Sequence, residues 1–227
     1  MTRHARVARF TSHALAVGLG AAACLALGLG RAPAVQPENL NNPEAMKAAM
    51  KAWMDSMKPG QQHAFLQQFI GEWTTTTRIR MAPGAQPIET KGTAKIVPAH
   101  GGRFIQQTNA GQFLMPTPDG KMNPVELTGI GFTGFDNNRK QFVMCWTDNY
   151  NTGILSAAGS ISQDQTTITM FGTMDEPMTG EMGKTVRYVT KLEGKDKFTF
   201  RIDEVQYGEP FNVVEVEYNR VKPDMNK

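Results

Sequence analysis

Between Gly71 and Arg220 the chain alternates apolar and polar residues in about ten short runs, separated by turn-forming clusters too short to hold a helix. The stretch from Gly129 to Asp148 shows the pattern most plainly. Two aromatic-rich runs flank Asp136-Asn137-Asn138, whose short polar side chains suit a tight turn. The same punctuation recurs at Pro83-Gly84, His100-Gly101-Gly102, Asp119-Gly120, Asn151-Thr152-Gly153, Gln163-Asp164-Gln165, Gly194-Lys195-Asp196 and Gly208-Glu209-Pro210. Strands are expected at 73–81, 88–97, 103–112, 125–135, 141–147, 154–162, 166–174, 185–192, 197–204 and 211–220. Parallel neighbours would need crossovers of about a dozen residues, so these strands must run as an antiparallel meander. An open sheet of that many twisted strands leaves unpaired edges, and closure removes them. The expected fold is all-β: an antiparallel up-and-down β-barrel of about ten strands.

Two further segments precede the barrel. Arg3, Arg6 and Arg9 lead into an apolar run from Ala14 to Gly30, and small residues follow at Ala32-Pro33-Ala34. This is the pattern of an export signal over residues 1–34, cut after Ala34, which places the mature protein in the periplasm or outside the cell. A retained anchor is the rival reading, but about 17 residues rich in Gly and Ala sit at the short end of what spans a bilayer. No stable membrane span is therefore expected after cleavage. Cys24 follows three alanines and offers lipoprotein attachment as a weaker alternative.

Residues 35–60 form a linker and an amphipathic helix in which Met46, Met50, Trp53, Met54 and Met57 recur at three- and four-residue spacing. Thioethers in such a stripe suit copper(I), but the period is that of any helix packing its face on a core, so core packing is the expectation. Pro59-Gly60 ends that helix, and a second short one covers 61–70. The barrel domain is expected over 61–222, with a disordered tail at 223–227.

Charge and cysteine content narrow the function classes. The chain has 24 Lys and Arg against 21 Asp and Glu, a net charge of +3. Loss of Arg3, Arg6, Arg9 and Arg31 with the signal leaves 20 against 21, or −1. No basic stripe remains, which argues against a nucleic-acid partner. Cys145 becomes the lone cysteine, so an exported chain of roughly 190 residues must be held by its core rather than by a disulfide.

The ordered set His63 through Trp73, Gly101-Gly102-Arg103-Phe104, Gly134-Phe135-Asp136, Trp146-Thr147-Asp148 and Tyr218-Asn219-Arg220 resembles the bacterial domain-of-unknown-function 1579 family over about 61–220. Gly71-Glu72-Trp73 at the first strand and Arg220 at the last also resemble the closure of calycin barrels, the lipocalin, fatty-acid-binding and nitrobindin group. That likeness implies a calycin-like barrel in which Trp73 lies over the Arg220 guanidinium at a closed end. Nitrobindin-like barrels hold haem through a histidine late in the sheet. No histidine follows His100 here, which argues against haem, and no cofactor is expected. His63, His100 and Cys145 have no metal-ligand spacing, so no metal is expected and the histidines read as solvated.

Alternation assigns the inner wall. Thr75, Thr77, Ile79 and Met81 share a face with Trp73, while Tyr188, Phe200 and Val216 fall on the apolar faces of later strands. These residues are the candidate lumen, aromatic and aliphatic with few fixed charges, and its mouth is expected between loops at 113–124 and 174–183. The leading expectation is an exported, non-enzymatic barrel that binds a small hydrophobic or amphipathic molecule. One alternative is a barrel enzyme using Tyr188 or a carboxylate from Asp148, Asp203, Glu204 and Glu215. Another is a structural barrel with a filled core that forms a homodimer through its outer sheet, where 141–147 is apolar on both faces.

Overall fold

The structure, a computed structural model, describes residues 42–117, 119, 121–176, 179–205 and 208–222. The expected signal at 1–34 with Cys24, the linker to residue 41 and the expected tail at 223–227 lie outside the described residues. The chain divides into two units, Met1–Met46 and Lys47–Lys227, and of the first only the start of a helix is described.

That helix, α1 (Pro43–Ser56), starts with proline where no backbone donor is needed, and the Asn42 side chain accepts the Glu44 N–H at 2.9 Å. A second helix, α2 (Gln61–Leu66), runs into a 3-10 turn at Gln67–Phe69. Here His63 takes the capping role, its Nδ1 accepting the Gly60 N–H at 2.9 Å.

Ten strands follow: β1 (Gly71–Ile79), β2 (Ile88–Ala99), β3 (Phe104–Pro116), β4 (Met122–Asp136), β5 (Gln141–Asp148), β6 (Leu155–Ile161), β7 (Thr167–Glu176), β8 (Glu181–Leu192), β9 (Lys197–Glu204) and β10 (Phe211–Arg220). Each pairs antiparallel with the next, and β10 returns to β1 in a register running from Trp73↔Arg220 to Ile79↔Val214. The barrel is closed and all-β, as the alternation requires.

Strand alternation and glycine together shape the wall. A Cβ on Gly129 would stand 2.1 Å from the Trp146 ring, and one on Gly131 would stand 2.7 Å from it, so only glycine lets that indole lie against β4. The run Gly129-Ile130-Gly131 is therefore a seat for Trp146. Gly92 and Gly111 face each other across β2 and β3, where a Cβ on Gly92 would stand 2.6 Å from the Ala110 carbonyl oxygen. Backbones approach closely there because no side chain intervenes.

One end of the barrel is plugged. Phe65, Leu66 and Phe69 from α2 and the 3-10 turn are buried with Trp73, Ile96, Ile105, Phe142, Ile168 and Phe198. Phe198 is the hub of this cluster. It meets Trp73 edge-on with ring centroids 4.7 Å apart, Phe69 at 5.0 Å, and stacks on Tyr218 at 4.0 Å.

Two expected loops are shorter than 113–124 and 174–183, because strand takes over their flanks. β3 and β4 stay paired out to Pro116↔Met122, and β7 and β8 out to Glu176↔Glu181. Composition at 113–124 and 174–183 favours loops, but cross-strand pairing carries the ladder into the flanks of both segments, to Pro116 and Met122 in one and to Glu176 and Glu181 in the other. The result is two hairpin arms that run past their outer neighbours, since β2 pairs with β3 only to Gly111 and β5 with β4 only from Gly129, while β6 pairs with β7 only to Gly172 and β9 with β8 only from Val186. Pro118, Gly120, Pro177 and Met178 lie outside the described residues.

Candidate functional site

At the plugged end Trp73 is 0 % exposed, and the Arg220 guanidinium carbon lies 4.0 Å from the centre of its ring. The indole donates to the Phe69 carbonyl at 2.9 Å. Arg220 donates to the carbonyls of Ile70 at 2.6 Å, Gln68 at 2.8 Å and Lys195 at 2.7 Å. These carbonyls end the 3-10 turn and the β8–β9 turn, so the arginine ties both chain segments to the seam. His63 is buried rather than solvated, with its ring edge on Phe135, and burial followed by the nearby Arg103 charge pulls its pKa below the usual imidazole value. It stands as a neutral, structural histidine.

Above this plug the inner wall mixes threonines with apolar side chains. Thr75 is buried, while Thr77, Ile79, Phe200, Ile202 and Val214 are only half-buried, and Phe200, Ile202 and Val214 pack against the edge of the buried cluster. Val216, one step deeper than Val214, is buried. Met81 stands beyond the end of β1 and is 53 % exposed, which removes it from the lumen wall. β1 ends at Ile79 because Arg80 already leaves the β2 ladder, donating its backbone N–H to the Val213 carbonyl and its side chain to Asn212.

Tyr188 lies at the junction of the two halves. It is 1 % exposed, stacks near Phe200 with centroids 6.1 Å apart, and is flanked in register by Met170 and Ile202. Its hydroxyl is buried and has no hydrogen-bond partner among the described residues. Burial pushes its pKa up to about 12, so it is a neutral phenol at any physiological pH. Tyr218 is satisfied by contrast, its oxygen accepting from Gln107 Nε2 at 3.0 Å, and that amide also reaches Asn109 at 2.9 Å.

The strongest polar feature of the wall centres on Lys184, which falls between the expected loop at 174–183 and the expected strand at 185–192. Lys184 pairs in register with Met174 and, by alternation with Val186 and Tyr188, points inward. Its ammonium meets Glu204 at 2.8 Å, and both side chains are nearly buried, at 5 % and 13 % exposure. Burial opposes the charge on Lys184, but the hydrogen bond and charge of Glu204, joined by Glu176 and Glu181, outweigh it and raise the lysine pKa. The lumen thus holds a fixed ion pair beside its apolar rings.

The four nominated carboxylates are dispersed. Asp148 is the hub of the β5–β6 turn, accepting from the backbone N–H groups of Tyr150 and Asn151 at 2.9 Å and from the Trp146 indole at 3.1 Å. Glu204 is committed to Lys184, and Glu215 to Arg78 at 3.4 Å on the outer face. Asp203 also sits on the outer face, yet it is 0 % exposed. It accepts from Arg187 and Arg201, each at 2.9 Å, and from Asn212 at 3.0 Å. No two of the four share a hydrogen-bonding partner.

A separate groove of about 810 Å³ lies along the outside of β1 to β5, where Thr93, Lys95, Thr108, Thr128, Ile130 and Thr147 face away from the lumen. Among the described residues no group of three or more His, Cys, Asp or Glu side chains could hold a metal.

A family model described as "Protein of unknown function (DUF1579)" matches residues 58–220. Among solved structures, the crystal structure of Rv2717c from M. tuberculosis is similar with a TM-score of 0.47 and 14 % identity, covering 73 % of this chain and 100 % of that one. A redesigned beta barrel, b11L5F_LGL, is similar with a TM-score of 0.34 and 12 % identity, covering 70 % and 95 %. No curated protein matches.

Proposed function

The chain belongs to the DUF1579 family, whose description assigns no activity, and from its own lumen we propose a non-enzymatic barrel that binds a small amphipathic molecule in the unplugged half. The observation that carries this reading is the Tyr188 hydroxyl, buried without a partner where the filled core gives way to half-buried wall. A buried unsatisfied hydroxyl costs about 1 to 3 kcal/mol, so a protein with no use for it gains by replacing it with phenylalanine. A ligand with one polar group would satisfy it, with Phe200, Ile202 and Val214 taking its apolar part and Lys184–Glu204 giving the pocket a second polar contact. The basic and apolar pattern of residues 1–34 supports export of this carrier to the periplasm or beyond.

The test is saturation binding of an apolar fluorescent probe bearing one hydroxyl or carbonyl group. Tyr188→Phe should leave the unfolding free energy equal or higher while weakening binding about tenfold, a loss of about 1.4 kcal/mol. Ile79→Trp should block the same site from β1, three strands away around the barrel. A folded protein that shows no saturable binding, or a Tyr188→Phe variant that binds normally, would overturn the proposal.

A further inference from the structure

We propose that α1, continued by Met57 just past its end, is a membrane-docking helix, which holds the barrel against a lipid bilayer through the face bearing Met46, Met50, Trp53, Met54 and Met57. The helical period alone predicts core packing for this stripe, yet α1 has no buried residue. All five side chains are exposed, Trp53 at 62 %. Their spacing gathers them into one arc of about 100°. Lys47 and Lys51 border that arc, and Lys51 and Lys58 both pair with Asp55, at 2.6 Å and 2.7 Å, on the polar side.

The helix is not loosely attached. Asn137 in the β4–β5 turn donates to the carbonyls of Ser56 at 2.9 Å and Lys58 at 2.8 Å, and Arg103 in the β2–β3 turn donates to the Met57 carbonyl at 3.1 Å. Those bonds use the carbonyls that a helix end leaves unpaired, so the root of α1 is fixed while its apolar face stays bare.

Area decides between a bilayer and a second copy of the chain. Fourteen residues make a helix about 21 Å long. A stripe about 10 Å wide on it offers only about 200 Å² per copy, against the roughly 800 Å² per partner of a stable interface. A bilayer sets no such minimum, since each inserted side chain adds to partition on its own. Tryptophan beside lysine is also the composition that settles at the headgroup boundary. At this length α1 lies on the surface and does not cross it. The family match begins at residue 58, after α1, so docking is a property of this chain's own extension and stands apart from the lumen.

The experiment uses the full chain with vesicles of equal parts phosphatidylcholine and phosphatidylglycerol carrying brominated acyl chains. Bromine quenches only indoles that enter the bilayer. Of the three tryptophans, Trp73 is fully buried and Trp146 lies in the barrel wall, so quenching reports Trp53. Quenching that vanishes in Trp53→Phe, and needs about tenfold more lipid in the double variant Met50→Glu and Met54→Glu, is the expected result. Neither methionine is buried, so the near-ultraviolet spectrum of the barrel should not change in that variant and serves as the folding control. Unquenched Trp53 emission in the presence of vesicles overturns the proposal, even where the apolar run alone brings the chain to lipid. Emission that shifts with protein concentration and without lipid assigns the face to self-association, and also overturns it.

Discussion

Two buried residues, Trp73 and Asp203, show how different kinds of contact hold single side chains in this wall. Trp73 combines an edge contact with Phe198, a donated bond to Phe69 and the Arg220 cation above its ring. Its replacement by Ala removes a fully buried indole and leaves a cavity, for an expected loss of about 3 to 5 kcal/mol in urea unfolding. The cation–π share is about 0.5 to 2 kcal/mol, so Trp73→Phe should recover most but not all of the loss. A near-neutral Trp73→Ala would contradict closure at this end. Asp203 is held by charge. Burial pushes its pKa up, but the bonds from Arg201, Arg187 and Asn212 win and leave it below the usual carboxylate range. A group lowered on folding stabilises the native state above its ordinary pKa of about 3.9, and loses that contribution as pH falls through the lowered value. Asp203→Asn should therefore cost on the order of 3 kcal/mol at neutral pH and flatten the stability profile below about pH 4. Equal acid slopes for variant and wild type, measured by denaturant titration, would show that Asp203 is not the group responsible.

Strand faces are legible from alternation because side-chain direction has a period of two, but lateral neighbours are not. Asp203 reads as an outer, solvated residue until the register Arg187↔Asp203 sets an arginine beside it. Lys184 is hidden differently: it directly follows the expected loop at 174–183 and precedes the expected strand at 185–192, and only the ladder with β7 shows which way it points. The amphipathic period of α1 names the apolar face correctly and says nothing of what covers it. The β3–β4 arm owes its order to the loop beside it. Asn149 accepts the Thr128 N–H at 2.8 Å and donates to the Glu126 carbonyl at 2.9 Å, and the Tyr150 hydroxyl reaches that same carbonyl at 2.8 Å. Asn149→Ala should speed amide exchange of the arm outside the barrel, at 112–116 and 122–128, by about tenfold, with little change in the rest of β4. Uniform acceleration of the whole strand would mean that the arm and barrel open together.

At the scale of the molecule the decisive contact is the β1–β10 seam, because it joins the first and last strands and every other pairing is between sequence neighbours. A seam closed over about 140 residues of chain forms against a large loop entropy and is the slowest pairing to make. Once made, it is locked from both sides. Inside, Val216 and Tyr218 join the buried cluster. Outside, Arg78 bridges Glu89 on β2 and Glu215 on β10 at 3.2 Å and 3.4 Å, and at the end Arg220 grips three carbonyls. The exposed ion pairs contribute little alone, about 0 to 1 kcal/mol each, so the lock is chiefly the buried rings and the arginine clamp. This predicts that seam amides of residues 74–78 and 215–219 exchange with a free energy close to that of β4–β5, through global unfolding rather than local opening. Arg220→Ala should separate the two, lowering seam protection by about tenfold or more while β4–β5 follows the smaller change in overall stability. Native-state hydrogen exchange measures both sets in one experiment. Seam amides that exchange first in the wild-type protein would show an open sheet in solution, and with it a lumen that cannot hold a ligand in the geometry of Tyr188 and Lys184.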